Sequence, residues 1–289
     1  MITKIILFSF IFILTGIVFF VIFNSNKKFN YVHQQNHQQD IELFTHKLNI
    51  PIYYINLDRS YERKQHIENQ FKIHNIKNYK RISAIDGNNI SKSCQKLGIN
   101  YYNNYKITNN EIACTLSHLY TIRQAYYDDL DMVLIVEDDV SFDLLPKWNN
   151  SLTNIINSFP VNWYCVSLFN QACYIDENLP EYINIKDKIC SGSVAYIINR
   201  KGMKYILNGM DDILIMDRHD KQNSTILTNR SGIADVFIFN RIKNCYQKKI
   251  PLFFTSNNNN NLDSTIHTDH TWRHKIISKE IQKIYNSKN

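Results

Sequence analysis

The chain has 289 residues, 44% hydrophobic and 13% aromatic, which is enough to fill a sizeable core and excludes wholesale disorder. A formal net charge of +7 would suit nucleic acid, anionic lipid or phosphorylated ligands. The lysines are dispersed, however, with no dense basic run and no nucleic-acid motif, so nucleic acid is not an expected partner.

Residues 5–23 form an uncharged apolar run, broken only by Ser9, Thr15 and Gly16. At a helical rise of ~1.5 Å per residue the run nearly matches a hydrocarbon core of about 30 Å. It is longer than the apolar region of a cleaved signal peptide, and no small-x-small cleavage site follows it. An uncleaved transmembrane anchor is therefore expected over residues 1–26. Lys4 and the amino terminus stand on one side of it and Lys27 and Lys28 on the other, so charge barely sets the orientation. The expectation is a type II arrangement with the globular part lumenal or extracytoplasmic. Residues 27–49, rich in Gln, Asn and His, read as a polar stalk, and the remainder, 50–289, as one domain.

Within that domain, residues 52–55 carry a strand signal that ends in the turn-prone Asn56-Leu57-Asp58. A helical pattern follows from 60 to 74, then a short strand at 79–82 stopped by Asp86-Gly87-Asn88. Thr108 and Glu111 are spaced as a capping box, which opens a helix expected to run to Tyr127. Residues 131–136 are too short and too β-branched for a helix and predict a buried strand. Further strands are expected at 164–168 and 194–199, each followed by a helix, and the Asn run at 257–261 reads as a loop. Strands alternating with helices predict an α/β fold with a parallel sheet.

The segment VLIVEDDV, residues 133–140, places Glu137, Asp138 and Asp139 at the end of a buried strand. Ligands of open α/β sheets collect at such ends. Adjacent carboxylates there repel one another unless a cation neutralises them, and Mg²⁺ or Mn²⁺ bridging to a phosphate suits oxygen ligands. Strand alternation would aim Glu137 and Asp139 into the cleft together. The competing reading is a solvated acidic turn. In INLDRSYER, residues 55–63, Asn56, Asp58, Arg59 and Arg63 surround a helix start and suit a nucleotide's ribose and phosphates. Asp58 and Ser60 would otherwise merely cap that helix.

In EIACTLSH, Glu111, Thr115 and His118 recur along one helix face, and His118 either serves a structural role, touches donor phosphates or orders the acidic strand. Spacings of three and four among His267, His270 and His274, with Asp269 between, would gather a metal site if helical, or else form an exposed tail. Six cysteines, Cys94, Cys114, Cys165, Cys173, Cys190 and Cys245, include no C-x-x-C pair, which removes the spacing zinc fingers and redox motifs need. Cys114 and Cys165 lie in apolar runs and read as reduced core thiols, although an oxidising lumen would permit disulfides.

Taken in order, IYYINLDRSYERK, RISAIDG, ACTLSH, LIVEDDV and SGSVAYIINRKG resemble glycosyltransferase family 25, the lipooligosaccharide and procollagen galactosyltransferases. The resemblance covers roughly residues 50–207 and continues more loosely to His267; Ala113 stands where the family has Gly. It implies a nucleotide-diphospho-sugar transferase (GT-A type) fold with a single Rossmann-like domain, a UDP-sugar donor, Mn²⁺ and inversion at the anomeric carbon. Carried over by position, it implies donor-binding roles for Asn56, Asp58, Arg59, Arg63, Asp86, Ser117, Glu137 and Asp138. It also implies a catalytic-motif role for His118, and metal ligation by Asp139 and Glu137. Inversion requires a base, for which Asp235 in GIADVF is the candidate, and His267 is a candidate further metal ligand. The acceptor would be a glycan, a lipid-linked oligosaccharide or a protein. Two other readings stay open: a carbohydrate- or sugar-nucleotide-binding membrane protein without turnover, and a membrane or virion structural glycoprotein with sequons at Asn89, Asn149, Asn223 and Asn229.

Overall fold

The computed structural model describes residues 49–96, 108–170, 178–186, 192–208, 233–256 and 271–287, all within the unit Lys47–Asn289. The expected anchor, and the stalk up to residue 48, lie outside the described residues, as do Cys173, Cys190, Asn223, Asn229, His267, Asp269, His270 and the loop at 257–261. Among the described residues no helix is long and apolar enough to cross a membrane.

Strand β1 (Ile52–Asn56) is buried at every position, as expected of a strand covered on both faces. It leads into α1 (Tyr61–Ile73), whose N-cap Ser60 makes no side-chain cap bond. Strand β2 (Tyr79–Ser83) returns parallel to β1. A 3-10 turn, Gly87–Asn89, and the short α2 (Ile90–Lys96) follow. Helix α3 (Asn109–Tyr127) opens on the expected capping box. The Glu111 N–H donates to Thr108 Oγ1 at 3.2 Å, and the Thr108 N–H donates to Glu111 Oε2 at 2.8 Å. Strand β3 (Met132–Glu137) then enters on the other side of β1, again parallel to it.

Beyond β3 the sheet departs from the parallel expectation. Its seven strands among the described residues are ordered β2-β1-β3-β7-β5-β8-β6, with β5 (Cys165–Ser167), β6 (Tyr182–Asn184), β7 (Ala195–Asn199) and β8 (Cys245–Lys248). Strand β7 runs antiparallel to both β3 and β5, and β6 antiparallel to β8, so the sheet is mixed. A strand buried on both faces is apolar throughout whichever way it runs, so composition alone carries no direction. Helix α5 (Arg200–Leu207) follows β7 as expected. Residues 168–170 after β5 are not helical, and residues 171–177 lie outside the described residues.

A separate antiparallel pair joins β4 (Val140–Ser141) to β9 (Phe254–Thr255). The helices α4 (Leu152–Asn157), α6 (Ala234–Arg241) and α7 (Thr271–Ser287) complete the described elements.

Period-two alternation divides the core into two layers. Ile52, Tyr54, Leu134 and Val136 pack with Ile67 and Phe71 of α1 on one face. Tyr53, Ile55, Val133 and Ile135 pack with Ile122 of α3 and Phe237 of α6 on the other. Each such side chain contributes about 1.5–3 kcal/mol of burial, which makes the central strands a rigid floor for whatever sits at their ends.

Candidate functional site

Because β2 and β3 flank β1 on opposite sides, the connections leaving β1 and β3 diverge at their carboxyl ends. A crevice opens at that point, the usual ligand position of open α/β sheets. Its walls include Asn56, Arg59, Arg63, His118, Glu137 and Asp138.

The acidic triplet does not alternate as a continued strand would. Strand β3 ends at Glu137, and Asp138 and Asp139 form a turn. Glu137 and Asp138 therefore line the cleft, whereas Asp139 turns toward α1. This corrects the expected pairing of Glu137 with Asp139. Arg63 of α1 bridges the turn, contacting Asp138 Oδ1 and lying 3.0 Å from Asp139 Oδ2. Burial works against its charge, but Asp139, Asp138 and Glu137 together hold the guanidinium firmly protonated.

The carboxylates experience the reverse balance. Burial lifts Asp138 above the usual carboxylate range, against Arg63 and an Asn56 amide that donates to Oδ2 at 2.6 Å. Asp139 is pushed up to about 7 by burial, with Glu137 and Asp138 adding to the rise and Arg63 opposing it. Its Oδ1 is buried without a hydrogen-bond partner. Burial also acts to raise Glu137, but the bond from His118, with Ser193 and Arg63, outweighs it and holds this group below its ordinary value. The solvated-turn reading is thereby set aside, since Asp138 and Asp139 are both buried.

The first-strand turn is built differently from the simple cap alternative. Asn56 is buried and fully engaged: its amide also donates to the Ser60 carbonyl at 3.1 Å, and its Oδ1 accepts from Arg81 Nε at 2.9 Å. Asp58 accepts from Arg81 and from Ser83 Oγ, both at 2.8 Å, and is not part of the cleft wall. Arg59 reaches Asp86 Oδ2 at 2.9 Å, and Asp86 Oδ1 accepts from the Asn88 N–H at 3.0 Å. Asp86 thus shapes the turn beside the cleft, while its neighbours Ile85 and Gly87 line it.

Helix α3 forms the facing wall. Ser117 Oγ accepts from the Ile85 N–H at 2.8 Å and donates to the Ala113 carbonyl at 2.7 Å, tying the helix to the turn after β2. His118 is buried, with Nδ1 3.1 Å from the Tyr196 hydroxyl and Nε2 3.3 Å from Glu137 Oε1. Of the three readings open for it, this geometry favours ordering of the acidic strand. Cys114 lies one turn earlier on the same wall, a free thiol pushed well up by burial and by the carboxylates of Glu137, Asp235 and Asp139. Cys165 is a buried free thiol, as expected.

Asp235 sits in the first turn of α6, outside the cleft wall, accepting from the Gly192 N–H at 2.6 Å and the Val236 N–H at 2.8 Å. His267 lies outside the described residues, and His274 falls in α7.

Sequence reasoning gave no role to Arg81, Ser193 or Tyr196. Ser193 Oγ donates to Glu137 Oε1 at 2.8 Å, and the Glu137 N–H donates to the Val194 carbonyl at 2.9 Å. The segment before β7 therefore clamps the end of β3. Gly192, with φ of 91°, supplies the left-handed turn that this approach needs. The signal was the SGS of SGSVAYIINRKG, where a glycine between two serines precedes a strand.

A family model described as glycosyltransferase family 25 (LPS biosynthesis protein) matches residues 49–220, more than half of the chain. The chain belongs to glycosyltransferase family 25. Among curated relatives, a glycosyltransferase 25 family member of Drosophila pseudoobscura pseudoobscura is 26% identical over 197 residues, covering 60% of this chain and 31% of that protein. A putative glycosyltransferase of Acanthamoeba polyphaga mimivirus is 24% identical over 174 residues, covering 55% of this chain and 53% of that one. Procollagen galactosyltransferase 1-A of Xenopus laevis is 22% identical over 170 residues, covering 54% of this chain and 28% of the relative. The matches thus span about half or less of the length of these family 25 and related proteins.

Proposed function

We propose that the chain is an inverting, metal-dependent glycosyltransferase with a GT-A type fold. It moves a hexose, galactose or glucose, from a UDP-sugar to a hydroxyl of a glycan, lipid-linked oligosaccharide or hydroxylysine acceptor. One observation carries the reading: the crevice between β1 and β3 sets Arg59 and Arg63 against Glu137 and Asp138 in a single wall. Guanidinium groups recognise phosphate oxygens, and carboxylates beside them call for a hard cation between the two.

The residues present fit such a cation. Asp139 Oδ1 is buried without a partner, and Arg63 leaves the three carboxylates with excess negative charge. Glu137, Asp138 and Asp139 would hold Mn²⁺ or Mg²⁺, with His267 a further proposed ligand. Bound there, the ion would offset charge growing on the departing diphosphate. Arg59 and Arg63 would orient the phosphates, and His118 and Ser193 hold Glu137 in place. Asp235 is the proposed base, taking the acceptor's hydroxyl proton. The apolar run at residues 5–23 would anchor the enzyme in a membrane, with its domain on the lumenal or extracytoplasmic side.

The test is a panel of UDP-sugars incubated with the full chain, with and without Mn²⁺, and with Asp235→Asn in parallel. Mn²⁺-dependent UDP release from one donor is expected, with transfer lost but UDP binding kept in the variant. Binding without release from any donor would instead mark a sugar-nucleotide-binding protein.

A further inference from the structure

Cys114 and His118 stand one helical turn apart on the same face of α3, a spacing that brings side chains together. Glu137 meets them from the end of β3. One ligand atom of each, the thiol sulfur, a ring nitrogen and a carboxylate oxygen, lies within 4.8 Å of the other two. In a tetrahedral zinc site, with metal–ligand bonds of about 2.0–2.3 Å, ligand atoms sit roughly 3–4 Å apart. Side-chain shifts of about an ångström would close the set.

We propose that Cys114, His118 and Glu137 form a binding site for a thiophilic divalent cation such as Zn²⁺. The mixed sulfur, nitrogen and oxygen donors select a softer ion than the all-oxygen turn beside them. Three protein ligands on the cleft wall leave a fourth position facing the cleft, the arrangement of sites that exchange a ligand rather than purely structural ones.

The surroundings supply the outer contacts such a site needs. The Tyr196 hydroxyl, 3.1 Å from His118 Nδ1, can accept a hydrogen bond from Nδ1–H and so leave the Nε2 lone pair for the ion. Ser193 Oγ, donating to Glu137 Oε1 at 2.8 Å, orients the carboxylate. On binding, the Cys114 S–H bond breaks, its proton passes to solvent, and a metal–sulfur bond replaces it without any redox change. The site shares Glu137 with the proposed Mn²⁺ position, but it stands on the geometry of three side chains rather than on that reading.

The probe is Co²⁺ added to the reduced full chain, because thiolate ligation gives a sulfur-to-cobalt charge-transfer band in the near ultraviolet. The band should appear, be bleached by Zn²⁺, and vanish in Cys114→Ser while far-ultraviolet circular dichroism is unchanged. His118→Gln and Glu137→Gln should each weaken Co²⁺ binding roughly tenfold or more. Absence of the band overturns the proposal, as does a band that survives Cys114→Ser, since the thiolate would then lie elsewhere. Cys165→Ser should leave the band intact; its loss there would equally overturn it.

Discussion

Burial raises the carboxyl of Asp139 to about 7, with Glu137 and Asp138 adding to the rise against the pull of Arg63. In the unfolded chain the same group titrates near ~3.9. A raised folded pKa means stability that is fully present below about pH 4 and lost as pH rises through about 7. The metal-free chain should therefore lose a few kcal/mol across that window, each unit of pKa difference being worth about 1.4 kcal/mol. Asp139→Asn removes the titration and should flatten the dependence. Urea midpoints at pH 5 and pH 8 with a chelator present check this, and equal slopes for the two proteins would show that Asp139 is not the strained group. The three adjacent acids were legible in the sequence as a charge problem needing a cation. Arg63 as their bridge was not, because one turn of α1 must fold against β3 before the two meet.

At the scale of elements, the strands and helices up to β3 that combine length with a clear pattern or cap were marked in the sequence, whereas α7, of 17 residues, was not. β1, α1, β2, α3 and β3 lie within about a residue or two of expectation. β4, β6, β8 and β9, of two to four residues each, offer too short a run for periodicity to register. The antiparallel course of β7 was equally hidden, although it matters most for the site, because it brings Ser193 over Glu137. The Asp86-Gly87 turn read as a simple turn, yet the glycine is required by α3. A Cβ on Gly87 would lie 2.1 Å from Asn110 Oδ1 and 2.7 Å from Asn110 Cα. Since backbone as well as side chain stands in the way, Gly87→Ala should cost about 1–3 kcal/mol, as overpacking does. Trimming Asn110 to Ala in the same chain should not restore it. A urea midpoint unchanged in Gly87→Ala would show that the turn and helix are not held so closely.

For the whole molecule, the two-layered sheet does one thing for function: it fixes where two parallel strands end beside each other. The proposed donor half of the site draws on β1, α1, α3 and β3, all of which carry recognisable segments of the family. The acceptor half has no such segment, since acceptor contacts depend on a few positions without a repeating pattern. The cleft is proposed as a cation-assisted diphosphate site. Isothermal titration of UDP into the full chain, with and without Mn²⁺ and repeated with Asp138→Asn, tests it most directly. Binding should require Mn²⁺ and weaken roughly tenfold or more in the variant, a loss of about 1.4 kcal/mol or greater. Equal affinity without the metal, or unchanged affinity in Asp138→Asn, would contradict it.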